Sequence, residues 1–169
     1  VLTYSIARMI GANKRISTLA GLLYVSSSVA AANGRFAHND LYLQLFSILC
    51  VFFIIKYQYA RSMYSLYASF FCVGLAASSK YTGGSLILLP VAVYVVANWA
   101  EIRSRWLLMI GNLFLGGVIS LLGYGLGTPK ALFAPVYYFS NVIPALRNYP
   151  QYGFNSGSPI GLFGQWAVF

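Results

Sequence analysis

Acidic side chains are almost missing from this chain. Of its 169 residues only Asp40 and Glu101 carry carboxylates. Charged residues of both signs make up 8%, against about 25% in a typical soluble domain. So few charges cannot clothe a water-facing surface, which excludes a soluble globular protein. Histidine occurs once, at His38, and cysteine twice, at Cys50 and Cys72. That inventory excludes a Cys/His metal cluster. Both cysteines lie in apolar runs, where they read as small buried hydrophobes. No Walker loop and no dinucleotide-binding glycine turn is present. A Ser-His-Asp set is missing too, because no serine shares the turn of His38 and Asp40.

The formal net charge of +9 arises from scarce acids rather than abundant bases. The lysines and arginines stand in ones and twos at the ends of apolar runs. Nucleic-acid binding needs a basic patch on one face, so no nucleic-acid partner is expected. A membrane protein with basic cytoplasmic turns needs the scatter seen here.

What remains is apolar. Hydrophobic residues make up 59% and aromatic ones 17%, with a mean hydropathy of +0.71. The chain reads as an all-α, polytopic transmembrane helical bundle, integral to the membrane and in contact with its lipid. Expected spans are 1–10, 16–32, 41–57, 63–78, 85–100 and 106–124, followed by an external loop over 125–165. The pair 63–78 and 85–100 is short against the ~20 residues that cross a bilayer upright, so two full spans and a partly inserted pair both fit. Ser26-Ser27-Ser28 have hydroxyls able to bond back to the helix backbone. The glycines of 106–124 suit close helix approach. Gly127-Thr128-Pro129 should break the last helix, and residues 130–147 alternate as an interfacial helix would. The sequence begins inside an apolar run and stops at Phe169 without a terminal signal, so it is expected to be a fragment of a longer protein and no signal peptide is sought at Val1.

Simple alternation of spans puts Lys14, Arg15, Lys56, Arg61, Arg103 and Arg105 on one face, expected to be cytoplasmic. Arg35, Asp40, Lys80 and the residues after 125 then share the other face. One continuous helix across Lys80 would move Arg103 and Arg105 to the wrong side.

The stretch Asn33-Gly-Arg-Phe-Ala-His-Asn-Asp40 concentrates polar chemistry in a chain that rarely spends charge. Each residue has a plain reading. Asn39 or Asp40 suits the cap of the following helix, and Arg35 suits an interfacial anchor whose stem lies along lipid. Crowded into one turn, they also suit a site. A guanidinium holds phosphate, and a carboxylate binds a divalent metal or orients a hydroxyl. His38 alone is a weak metal signal. Lys80 reads either as a boundary marker or as a point charge for a lipid-linked phosphate. Lys130 carries the same two readings. Tyr149 and Tyr152 suit the interfacial belt or stacking on a sugar.

Three stretches together resemble a known family. Asn33-Gly-Arg-Phe-Ala-His-Asn-Asp40 is similar to a Ser-Arg-x-Ala-x-x-Asp turn before an apolar span, with Gly34 at the serine position. Gly74-Leu-Ala-Ala-Ser-Ser-Lys-Tyr-Thr82, running into Leu86-Ile-Leu-Leu-Pro90, resembles a Gly-Leu-x-x-x-x-Lys-Tyr-Thr segment. Leu126-Gly-Thr-Pro129 with Ala131-Leu132 resembles a Gly-Thr-Pro-Tyr-Ala-Leu entry into an external loop, with Lys130 at the tyrosine position. In this order and spacing they resemble the dolichyl-phosphate-mannose–protein mannosyltransferase-like enzymes of the glycosyltransferase C superfamily.

The resemblance implies transfer of a sugar from a polyprenyl-phosphate donor to a protein, lipid or glycan acceptor at the non-cytoplasmic face. It places the general base in an external loop upstream of Val1, so Asp40 is not that base. Arg35 and Lys80 are expected to face the donor phosphate. Asp40, with His38 and Asn39, is expected to position the acceptor or, through Asp40, to ligate a divalent metal. The expected location is a prokaryotic plasma membrane, or the endoplasmic reticulum membrane in a eukaryote. The rival reading is a polytopic transporter or lipid-carrier flippase. Such proteins more often place ionisable groups within spans or break helices near the midplane, and here the charges lie at span ends.

Overall fold

The computed structural model describes residues 1–27, 39–138, 140, 141, 143 and 144, and among them there are helices and no strands. It divides into two compact units, Val1–Thr128 and Pro129–Phe169.

The first unit opens with a hairpin of α1 (Leu2–Met9) and α2 (Lys14–Ser26). Gly11, at φ +94°, turns the chain between them in a conformation that disfavours any side chain. The Nη1 of Arg8 closes that turn by donating to the Ala12 carbonyl at 2.8 Å. The Asn13 side chain accepts from the Ile16 N–H at 2.9 Å and caps α2. At the far end the hydroxyls of Ser26 and Ser27 donate back to Leu23 and Tyr24 carbonyls, as expected of serine inside an apolar helix.

Four helical segments follow as an up-and-down series. They are α3 (Asn39–Ala60), α4 (Met63–Ser79), a 3₁₀ stretch (Tyr81–Ile87) continuing into α5 (Leu88–Ala97), and α6 (Ile102–Gly127) after a 3₁₀ turn at Trp99–Glu101. Helix α3 starts at Asn39, so Asn39 and Asp40 belong to its first turn and not to a loop. Its end is set at Arg61, whose φ of 51° is left-handed and whose N–H donates to the Tyr57 carbonyl at 2.8 Å. Helix α4 stops at Lys80, which is extended (φ −153°, ψ 128°). The chain then returns along α4. The Gly83 N–H donates to the Lys80 carbonyl at 2.7 Å, and Tyr94 buries against Tyr57, Leu66, Phe70 and Met109. The residues of the expected basic turn 101–105 are largely helical: α6 begins at Ile102, and Arg105 (φ −128°, ψ 27°) marks a kink inside it.

Helix α4 is the central element, flanked by α3 and α6. Two small clusters hold it. One is the Tyr57 and Tyr94 group just named, and the other contains Cys50, Ile54, Cys72 and Val73. Both cysteines are buried and unbridged, as their apolar neighbours predicted. Against α6 the packing depends on small residues. A Cβ on Gly74 would fall on the Ser120 carbonyl, and one on Gly116 would lie 2.6 Å from the ring of Phe70. Lipid offers no hydrophobic drive between helices, so such close van der Waals contact is what joins them. The outward side of α6 exposes Leu107, Ile110, Phe114, Leu121 and Leu122. With α3 and α6 both long and apolar enough to cross a membrane, the unit is a partial membrane bundle.

In the second unit α7 (Pro129–Phe133) begins at the proline, where the missing N–H costs nothing. Helix α6 ends just before it, at Gly127. Lys130 is exposed on α7.

Candidate functional site

The up-and-down path gives the first unit two ends. At one lie the start of α3, the α4-to-3₁₀ break and the close of α6. At the other, the Arg61 Nη1 donates to the Ala97 carbonyl at 2.7 Å, and the Asn98 side chain donates to the Tyr57 hydroxyl at 3.1 Å. These join the close of α3 to the close of α5.

The first end holds the ion pair that matters for chemistry. Lys80 Nζ donates to Asp40 Oδ1 at 2.8 Å across 40 positions of sequence. Each member reaches the pair by its place in the fold. Asp40 sits in the first turn of α3, where the partial positive charge of the helix favours a carboxylate. Lys80 sits at the C-cap of α4, where the partial negative charge favours an ammonium. Because α3 and α4 are antiparallel, these two complementary ends adjoin. The extended backbone at Lys80 interrupts the helix just where the side chain meets α3.

The energetic weight of the pair is modest. The two side chains are 40% and 35% exposed, and an ion pair that open to solvent is worth at most about 1 kcal/mol. It therefore does little to hold α3 against α4 compared with the buried clusters. Its larger consequence is local: an ammonium and a carboxylate, both reachable from solvent, are held within one hydrogen bond of each other at one end of the bundle. Such a pair can meet a phosphate with the ammonium and a hydroxyl with the carboxylate.

Of the other residues singled out in the sequence, Arg35 and His38 lie outside the described residues, as do Tyr149 and Tyr152. Asn39 opens α3 beside Asp40. No group of three or more His, Cys, Asp or Glu able to hold a metal ion occurs among the described residues. Asp40 is the one described carboxylate at this end, and one of its oxygens carries the Lys80 ammonium.

Sequence reasoning missed a polar network at the opposite end. Tyr67 donates to Asn112 Oδ1 at 3.1 Å, and Asn112 Nδ2 donates to the Tyr94 hydroxyl at 2.7 Å. Asn98, besides Tyr57, also donates to the Tyr94 carbonyl at 2.7 Å. The signal was there in Asn98 and Asn112, the amides of α5's end and of mid-α6, where an unpaired polar group in lipid would be costly.

A family model for the dolichyl-phosphate-mannose-protein mannosyltransferases matches residues 1–138, from the start of α1 past the end of α7. The chain belongs to that family. No curated protein and no solved structure matches it. Membership makes the protein a membrane-integral glycosyltransferase of the mannosyltransferase type. The matched range takes in both members of the Asp40–Lys80 pair. It also takes in the three stretches, 33–40, 74–90 and 126–132, on which the family resemblance rests.

Proposed function

We propose that this mannosyltransferase-family chain transfers a sugar, mannose by its family, from a polyprenyl-phosphate carrier to a protein hydroxyl at the non-cytoplasmic face of the membrane. The observation that carries the reading is the Asp40–Lys80 ion pair, which gathers two sequence-remote charged residues at one end of the bundle. The charge distribution supports the face. Arg61, Arg103 and Arg105 lie at the end away from that pair, with Lys56 in the last turn and a half of α3, as cytoplasmic basic residues do.

In the reaction the acceptor oxygen attacks the anomeric carbon. A new glycosidic C–O bond forms, the bond from that carbon to the phosphate oxygen breaks, and the electron pair leaves with polyprenyl phosphate. The hydroxyl proton passes to a general base contributed from upstream of Val1. Charge grows on the leaving phosphate, and a positioned cation there lowers the barrier. Lys80 supplies that cation, with Arg35 as its companion. Asp40 holds the Lys80 ammonium in place. Location in a prokaryotic plasma membrane, or in the endoplasmic reticulum of a eukaryote, follows from the lipid-linked donor.

The test is transfer from a polyprenyl-phosphate mannose by the full-length protein. Lys80→Ala and Asp40→Ala should each slow turnover, Lys80→Ala by roughly the hundredfold that loss of one oxyanion-stabilising group costs. Wild-type turnover by both variants, at equal expression, would remove the site assignment.

A further inference from the structure

We infer that the end of the bundle opposite Asp40–Lys80 carries a binding site for an anionic phospholipid of the adjoining leaflet, its phosphate held between Arg61 and Arg105. Between the closes of α3 and α5 and the start of α6 lies a cavity of about 460 Å³. That is within the size range of small-molecule sites. Its polar wall includes Arg61, Asn98, Glu101 and Arg105, and its apolar wall includes Met63, Leu108 and Met109. A headgroup needs the first wall and the upper acyl chain needs the second.

The charges favour an anion. Two guanidinium groups and one carboxylate line the cavity, leaving one net positive charge. Arg105 Nη1 lies 3.2 Å from Glu101 Oε2, both groups more than half exposed, so solvent screens that pair and it holds the guanidinium only weakly. Arg61 uses Nη1 on the Ala97 carbonyl. The fork of a guanidinium carries five donors, and phosphate is the partner its geometry suits.

The backbone adds a second observation. Arg61 occupies a left-handed turn, φ 51°, where glycine is the unstrained choice. A long charged side chain at such a position points to use of the side chain.

Depth selects a lipid over a free anion. Tyr59, Tyr64, Trp99 and Trp106 surround this end with exposed aromatic rings. Such rings mark the headgroup level of a bilayer. From there the exposed apolar side of α6 at Leu107 and Leu108 offers an acyl chain a path toward the membrane interior. The site is independent of the sugar-transfer chemistry at the other end.

The experiment titrates the full-length protein in detergent with dioleoylphosphatidylglycerol, counting retained lipid by native mass spectrometry, with dioleoylphosphatidylcholine and inorganic phosphate as parallel arms. Phosphatidylglycerol should be retained over phosphatidylcholine. Arg105→Gln and Arg61→Gly should each weaken it roughly tenfold, the loss of a charge-assisted contact. Glycine suits the left-handed turn, so Arg61→Gly removes the guanidinium without straining the backbone. Glu101→Gln should tighten retention several-fold by removing the one negative charge from the cavity lining, a gain that damage to the fold would not produce. Arg103→Gln, beside the cavity but outside its lining, should change little. Equal retention of phosphatidylglycerol by wild type and Arg105→Gln overturns the site, as does an equal loss in Arg103→Gln or no gain in Glu101→Gln. Displacement of the lipid by millimolar inorganic phosphate overturns the lipid as its occupant.

Discussion

Lys80 and Asp40 show how little a contact's stability says about its use. At these exposures the pair contributes at most about 1 kcal/mol, yet it fixes the relation of the two polar groups at that end of the bundle. If Asp40 acts by holding Lys80, the two residues form one unit. The double variant Asp40→Ala/Lys80→Ala should then turn over about as fast as Lys80→Ala alone, since residues acting together are not additive. Fully multiplicative losses would instead give Asp40 a separate role at the acceptor. A second residue-scale prediction concerns Asn112, which bridges Tyr67 and Tyr94. Asn112→Leu should lower stability by about 1 kcal/mol, in the range of interhelical hydrogen bonds within membranes. A melting temperature unchanged in detergent would show that the bridge contributes nothing.

Among the elements, α4 depends on how near α6 can come. Gly74 meets the Ser120 carbonyl and Gly116 meets the Phe70 ring, so at these two points the helices leave no room for a Cβ. Gly74→Val should therefore push the helices apart and cost several kcal/mol, as overpacking and lost contacts combine. Gly111 faces open space within 4 Å of any added Cβ. Gly111→Ala should leave the protein as stable or raise stability by up to about 1 kcal/mol through helix propensity. Thermal melting of both variants in one detergent checks the contrast, and equal behaviour would contradict the packing described here.

For the whole molecule the decisive property is which end faces which side. In a Cys50→Ala/Cys72→Ala background, cysteines introduced at Arg35 and Lys80 should react with a membrane-impermeant thiol reagent from outside. One at Arg103 should react only after permeabilisation. Labelling of Lys80→Cys and Arg103→Cys from the same side would overturn the proposed topology. Both native cysteines are buried, so removing them limits background without touching the candidate site.

Composition and pattern carried much of this protein. The scarcity of charge required a membrane bundle. The apolar runs at 41–57 and 106–124 lie within α3 and α6, and Gly116 and Gly123 of the second lie where α4 and α6 touch. The break at Pro129 followed from local chemistry, because proline cannot continue a helix. Asp40 and Lys80 were both legible as unusual charges in such a chain. Their pairing was not, because nothing within a helix relates residues 40 positions apart. Only the antiparallel packing of α3 on α4 brings one helix's positive end beside the other's negative end. The cavity at Arg61 and Arg105 was hidden for the same reason. Its walls come from four helix ends, and the left-handed turn that presents Arg61 depends on where α3 must stop so that α4 can pack back against it.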